Sequence, residues 1–278
     1  MKCPLCRKNN FRLIIKTKWP IKKCLYCGLV QVNPLPSRKE INSLYQGDYY
    51  KNFQPYFSQL NNHRKYFKKQ IKEIKKYFKT GKILDVGCAL GPFLEVGRRE
   101  GFQAEGVEIS DYAVAYCRKK NLTAYTGTIF SIKKPNYYDI ITAFELIEHE
   151  REPLKMLSAA YKLLKKNGLL VITTPNYDSF WRKIFGRFWI GYRHREHLFF
   201  FSPKTLTIIL KKVGFRNIII KKDIPRPYSF DYFFRRLADY IPIIFLKRIL
   251  FFMGELVKRI NFSPPLNPWE NMIVYAYK

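Results

Sequence analysis

Residues 83–95 read ILDVGCALGPFLE: an apolar run that ends in Asp85 and breaks at a turn carrying Gly87 and Gly91. From Lys82 onward the same change of pattern repeats. KILDVG, FQAEGVEI, LTAYTGT, YYDIITAF and GLLVITTPN read as strands, and the segments between them carry helical spacing. FRNIIIKKD and NMIVYAYK read as a sixth and a seventh strand. The alternation predicts an α/β fold, a Rossmann-like seven-stranded and mostly parallel sheet with helices on both faces. In such sheets ligands sit beyond the carboxyl ends of the strands, so the residues just after each run matter most.

The turn itself limits the ligand. A phosphate-binding Walker loop needs Lys-Ser or Lys-Thr after its second glycine, and none follows. A dinucleotide fingerprint needs glycines where Ala89 and Pro92 stand. Asp85 also repels a pyrophosphate and attracts positive charge. At the end of the second strand stands Glu108, placed to accept both hydroxyls of a ribose. The implied ligand is a cationic nucleoside without phosphates, a description that S-adenosylmethionine (SAM) meets.

DVGCALG resembles the D-x-G-x-G-x-G motif of class I SAM-dependent methyltransferases. YYDIITAFELIEHEREPLKMLSAAYKLLKKNGLLVITTPN is similar to the fourth strand, helix and fifth strand of the branch that includes ubiquinone-biosynthesis-type enzymes. The resemblance spans residues 80–220. It implies that Asp85, Gly87 and Gly91, with Ala89 in place of a glycine, hold the methionine portion of SAM, and that Glu108 holds the ribose. It further implies Ile109 against the adenine, Thr128 and Ile129 on the adenine's other side, and Phe144 and Glu145 over the sulfonium. Ala89 fits that scheme if its φ is negative and its methyl turns away from the cofactor.

A hydroxyl acceptor needs a base. The candidates at the carboxyl edge are Glu145, Glu148 and His149 from FELIEH, and His194 and His197 from GYRHREHLFFFS. His149, His197 and Glu145 are taken as the catalytic set, because imidazole titrates near neutral pH. The alternative is that the histidines only order their loops. His194 and His197 also have the spacing to bind a divalent metal with Glu196 or Glu148.

The N-terminus carries CPLC and CLYC, so Cys3, Cys6, Cys24 and Cys27 form a C-x2-C-x17-C-x2-C pattern. Two residues between cysteines let one turn aim both thiolates at a single ion, and the pattern predicts a structural Zn2+ in a small ribbon or knuckle. A redox pair would need one CxxC only. Cys88 and Cys117 read as ordinary buried thiols. Beyond the knuckle, Ser37 caps a short helix over 38–45, and a Lys-rich helix over 61–80 carries Tyr66, Phe67, Ile71, Ile74, Tyr77 and Phe78 to cover the sheet edge. The organisation expected is a zinc module (1–33), a linker with N-terminal helices (34–80), a SAM-dependent methyltransferase domain (81–224 with 269–278) and a helical insertion (225–268) before the last strand.

Formal net charge is +30, from 51 basic and 21 acidic residues, and no acid precedes Glu40. A polyanionic partner is one reading, and a solvated Lys-rich composition is the other. Within the insertion, IPIIFLKRILFFMGELVKRI (241–260) is the most hydrophobic stretch, interrupted by Lys247, Arg248 and Glu255 before it could span a bilayer. It suits either peripheral contact with an anionic membrane or burial as part of a substrate lid. The aromatic loop 177–201 reads as a lid with substrate contacts. No secretory pattern opens the chain, so a cytoplasmic protein, membrane-associated at the inner face if 241–260 binds lipid, is expected.

The acceptor expected is a small molecule or a lipid- or glycan-linked group, methylated on oxygen. CxxC…CGLVQVNPLP…LYQGDYY is similar to bacterial enzymes of cell-surface glycan and secondary-metabolite pathways, which favours that class. Two alternatives stay open: an RNA methyltransferase gripping phosphates with the basic N-terminal module, and a non-catalytic zinc-bearing membrane adaptor. The chain lacks an N-P-P-[YF] base-amine motif after its fourth strand, which makes nucleic acid the weaker reading.

Overall fold

The computed structural model describes residues 2–37, 39–41, 54–192, 196–226, 234, 238, 244–257 and 271–278. His194, the end of the Ser37-capped helix, Lys258, Arg259 and most of the 225–268 insertion lie outside the described residues.

The strands are β1 (Phe11–Ile15), β2 (Ile21–Cys24), β3 (Val30–Val32), β4 (Gly81–Val86), β5 (Phe102–Glu108), β6 (Thr123–Thr126), β7 (Tyr138–Phe144), β8 (Leu164–Pro175), β9 (Phe199–Phe200), β10 (Arg216–Lys222) and β11 (Asn271–Tyr277). The helices are α1 (Gln54–Ile74), α2 (Pro92–Arg99), α3 (Asp111–Lys119), α4 (Pro153–Leu163), α5 (Phe180–Phe185), α6 (Pro203–Val213) and α7 (Ile244–Val257). Seven strands form the main sheet in the order β10-β11-β8-β7-β4-β5-β6. Strands β4 to β8 run parallel, and β11 pairs antiparallel with both β8 and β10. This is the predicted architecture.

Alternate residues of each central strand face opposite layers. Ile83 of β4, Leu169 and Val171 of β8, and Ile273 and Tyr275 of β11 pack with α1, α2 and α3. Leu84 and Val86, Leu170 and Ile172, and Met272 and Val274 pack with α4 and α6 on the other side. Both faces are covered, which explains why these strands read as unbroken apolar runs.

Helix α1 departs from its expected place. It begins earlier than read, and Tyr66, Phe67, Ile71 and Ile74 are buried against the centre of the sheet through Ile83, Ile140 and Ile273, not against an edge. A stripe of large side chains at this spacing removes more apolar area from water over a sheet face than along an edge.

The N-terminal segment is joined to the body. Strands β1, β2 and β3 form a second sheet whose fourth strand is β9, from the loop after β8, with Val30 opposite Phe200 and Gln31 opposite Phe199. Leu5, Leu29 and three of the paired cysteines share one core with Phe199, Phe201, Leu206 and Met156. Lys212 Nζ donates to the Leu5 carbonyl at 2.8 Å. The aromatic loop 177–201 therefore divides in two. Tyr177, Trp189 and Phe200 are buried against Ile21, Val30 and Val32, while Phe180, Trp181, Phe185 and Phe188 stand exposed.

Because module and body share one core, Phe199→Ala is expected to cost about 3–5 kcal/mol. Urea unfolding followed by both tryptophan fluorescence and far-ultraviolet circular dichroism should show one shifted transition. Two separated transitions in the unmodified chain would mean that the module folds independently.

Candidate functional site

The chain leaves β4 through a turn in which Gly87, Ala89 and Gly91 all take positive φ, at 75°, 47° and 73°. The negative φ on which the fit of Ala89 was made to depend is not found: Ala89 sits in the left-handed region that the missing glycine would occupy, at a cost of about 1 kcal/mol. That geometry lets its amide donate to Glu108 Oε2 at 3.1 Å, and its carbonyl accepts the Cys117 thiol at 3.4 Å. Gly91 has no such latitude. A Cβ built there would lie 2.8 Å from both Cys117 Sγ and Leu122 Cδ1.

Asp85, at the end of β4, is buried, and the Thr142 hydroxyl donates to its Oδ1 at 2.6 Å. Burial, with the Glu108 charge adding to it and the Thr142 hydrogen bond opposing, raises its carboxyl to about 7. Glu108 ends β5, and its Oε1 accepts the Ser110 amide at 3.1 Å. Ser110 in turn caps α3 by accepting the Ala113 amide. Ile109 is half exposed and Thr128 exposed. Ile129 opens a short 3-10 turn and is buried in the core. Phe144, at the end of β7, packs on Phe67 and Phe93 with ring centroids 5.1 and 5.0 Å away. Asp85, Gly87, Ala89, Gly91, Glu108, Thr128 and Phe144 all lie on strand ends, or in the turns just after them, at the carboxyl edge of the parallel strands.

Beside them lies a polar network that the sequence did not announce. Glu145, at φ 50°, pairs with Arg226 at 3.0 Å and accepts a hydrogen bond from Asn271 Nδ2. The Arg226 guanidinium lies 4.4 Å over the Tyr66 ring. Tyr66 Oη and Gln70 Nε2 donate to Asp223 at 2.7 and 2.6 Å. Burial, reinforced by the Arg226 charge, pushes His63 down to about 3. His63, Tyr66 and Gln70 are spaced i, i+3, i+7 on α1, so the signal in the sequence was a polar row running along the helix's apolar stripe.

A third cluster gathers the predicted histidines. His149 and His197 lie with ring centroids 4.9 Å apart. Each Nδ1 meets a backbone carbonyl at 3.1 Å, that of Glu196 for His149 and that of Gly191 for His197. A carbonyl only accepts, so Nδ1 carries the proton and Nε2 is the basic nitrogen of the neutral ring. Ligand atoms of Glu148, His149 and His197 lie within 4.8 Å of one another, the arrangement a divalent cation would need. Glu148 is buried, which raises its carboxyl to about 8, with the Glu145 charge adding to the rise and the Thr174 side chain opposing it. The amides of Leu198 and Phe199 donate to its backbone carbonyl at 2.8 and 3.1 Å, pinning the His197 segment to the FELIEH loop.

The four N-terminal thiols also converge. Their sulfurs lie within 4.8 Å of one another, with Cys3 and Cys27, and Cys6 and Cys24, each 3.5 Å apart. That is too long for a disulfide and near the ~3.8 Å between thiolates sharing one tetrahedral zinc with bonds of about 2.3 Å.

A doubly wound sheet with an acidic pair after its first two strands defines a Rossmann-like methyltransferase fold. The chain belongs to the methyltransferase domain family, whose model matches residues 58–219, more than half of its length. It is 31% identical over 106 residues to a ubiquinone biosynthesis O-methyltransferase of Yersinia enterocolitica, a match covering 35% of this chain and 44% of that one. The chain thus spans less than half the length of the curated relatives it matches. A SAM-dependent methyltransferase from Archaeoglobus fulgidus superposes with TM-score 0.53 at 24% identity, over 77% of this chain and 94% of that one. The 4+2 cyclase SpnF superposes with TM-score 0.51 at 20% identity, over 76% of this chain and 80% of that one. At these identities the likeness to solved structures carries the fold alone.

Two outcomes follow from the turn geometry. Gly91→Ala should abolish SAM binding or folding, because its Cβ meets Cys117 and Leu122 on a backbone L-residues rarely adopt. Ala89→Gly should leave the calorimetric SAM affinity within about three-fold, because it only relieves strain at a position already left-handed.

Asp85 sets a pH dependence. With its carboxyl raised from 3.8 to about 7, the ligand-free fold keeps a proton that the unfolded chain has already lost. Stability therefore falls as pH rises across that window, and Asp85→Asn should flatten the fall. A cationic ligand favours the ionised carboxylate. SAM affinity should rise as pH passes about 7, with proton uptake by buffer visible when calorimetry is repeated in buffers of different ionisation enthalpy. An affinity flat from pH 6 to 8 would contradict this role.

Proposed function

We propose that the chain transfers a methyl group from SAM to an oxygen of a small or lipid- or glycan-linked acceptor. The observation that carries this reading is the His149–His197 pair, whose basic nitrogens are fixed by backbone carbonyls beside the strand that ends at Phe144. SAM would supply an electrophilic methyl on a sulfonium. Asp85, Ala89 and Glu108 would hold its methionine and ribose portions, with Ile109 and Thr128 about the adenine and Phe144 beside the sulfonium. The protein's remaining tasks are to align the acceptor, exclude water and accept its proton. His149 and His197 accept that proton, and Glu148 lies against them in the same buried cluster.

Glu145 has a different part. A carboxylate beside a sulfonium stabilises the fully charged ground state more than the charge-dispersed transition state. It therefore contributes to affinity, with Arg226 and Asn271 fixing its position. A second reading rests on the buried carboxylate of Glu148, which lies among the ligand atoms of His149 and His197. Glu148, His149 and His197 would hold a divalent cation that lowers the pKa of an acceptor hydroxyl.

The N-terminal thiols fit structural zinc. Four protein thiolates leave no open position, so the ion would hold the module rather than react.

The test is to incubate the full chain with radiolabelled SAM and lysate fractions of soluble metabolites, lipid and RNA. Label is expected in the metabolite or lipid fraction, and label in RNA alone would overturn the assignment. His149→Asn and His197→Asn should each lower turnover by about 10²–10⁴-fold with SAM affinity unchanged. Metal analysis should find zinc that Cys24→Ser releases. Loss of turnover on mild chelation, before the zinc leaves, would favour the cation reading.

A further inference from the structure

Helix α7 is amphipathic in the reverse sense from one that completes a core. Phe245, Leu246, Ile249, Phe252, Met253 and Leu256 recur at i, i+1, i+4, i+7, i+8 and i+11, which places them on one stripe. All six are exposed, Phe245 by 72%, Phe252 by 65% and Leu256 by 63%. The residues turned inward are Leu250 and Gly254. Arg248 is exposed at the margin of the stripe, and Lys247 lies 5.8 Å from the Phe251 ring.

A second exposed apolar cluster sits on α5 and the turn after it. Phe180, Ile184, Phe185 and Phe188 are each exposed by half or more, interleaved with exposed Lys183 and Arg187. No acid occurs between Ser179 and Arg195.

The segments that lead to the two clusters leave the sheet at one edge. Strand β10 runs parallel to β8, since each pairs antiparallel with β11. The chain therefore leaves β8 toward α5, and β10 toward α7, at the carboxyl edge that carries Asp85, Glu108 and His149.

We propose that α5 and α7 dock this edge on an anionic lipid bilayer, so that the acceptor is met at the membrane surface. This rests on the methyl-transfer reading only for what is done there; the docking itself does not need it. Among the described residues no helix is long and apolar enough to cross a membrane, so α7 would lie in the interface, its apolar stripe among the acyl chains and its basic residues at the headgroups. Charge selects the occupant. A second copy of a chain with net charge +30 is repelled, and a nucleic acid could stack bases on Phe245 and Phe252 but would leave the aliphatic Leu246, Ile249, Met253 and Leu256 in water. An anionic bilayer satisfies the apolar stripe and the positive charge together.

The test is co-sedimentation of the full chain with vesicles of phosphatidylcholine alone or with added phosphatidylglycerol. Binding is expected to the anionic vesicles and to weaken with salt. The double variants Phe245→Glu/Phe252→Glu and Phe180→Glu/Phe185→Glu should each reduce it by about ten-fold or more, because they place charge in the acyl region. SAM affinity by calorimetry should be unchanged in both. Wild-type chain left in the supernatant, or double variants that sediment like wild type, would overturn the docking, as would a soluble protein captured through α7 without vesicle binding. Vesicle binding by a chain that shows no SAM affinity would sink the methyl-transfer reading and leave the docking standing.

Discussion

The hydrogen bond from the Ala89 amide to the Glu108 carboxylate, beside those from the Gly87 and Cys88 amides to the Val107 carbonyl, ties the loop after β4 to the end of β5. It holds Ala89 in a backbone conformation its side chain disfavours, and it leaves Glu108 gripped by two amides, those of Ala89 and Ser110. The edge of the sheet is thereby organised around negative charge before any ligand arrives. Asp85 feels the consequence, since the Glu108 charge helps hold a proton on its buried carboxyl. A cationic ligand relieves both conditions at once, which is why a pocket that repels phosphate suits a nucleoside bearing an ammonium and a sulfonium.

The second constraint is the four-stranded sheet shared between the N-terminal segment and the loop after β8. Strand β3 pairs with β9, the Val32 amide donates to the Leu198 carbonyl at 2.9 Å, and the Leu198 amide reaches the Glu148 carbonyl. His197 stands one residue before this clamp and His149 one residue after its anchor. The segment bearing Cys24 and Cys27 therefore acts, through two strands, on the spacing of the two imidazoles. A module that looks like an appendage in sequence is part of the scaffold of the site.

How much of this was legible follows from how local each feature is. Asp85, Gly87, Gly91 and Glu108 stand at fixed offsets from strand patterns, so strand periodicity together with the resemblance of DVGCALG to a family motif singled them out. The strands and the α4 and α6 helices were legible for the same reason, because each face of the sheet is fully covered. Tyr66, Gln70 and Asp223 were not, since they meet across more than 150 residues of chain and Tyr66 read as a member of an apolar helix stripe. Strand β9 is two phenylalanines long, and only its partner reveals it as a strand. The φ of Ala89 was not legible, because residue identity argues for negative φ while the observed turn, with its amide donating to Glu108, has it positive. For α7, periodicity fixed which residues share a face but could not say whether that face turns toward the core or away from it.

The fold does not choose the reaction. A cyclase shares it at TM-score 0.51, so chemistry depends on what each chain places at the carboxyl edge. Here the edge divides by charge and function. Glu108, and Asp85 once it ionises, place negative charge where a cation would be bound, while Glu145 is already paired with Arg226. That lowers the energy of the ground state and by itself gives no rate. Acceleration must come from a group whose interaction grows as the acceptor's proton departs, and in the proposed reaction the imidazoles of His149 and His197 would take that part. Binding and proton transfer in this scheme would rest on different structural supports: the first on the turns after β4 and β5, the second on the clamp from β3.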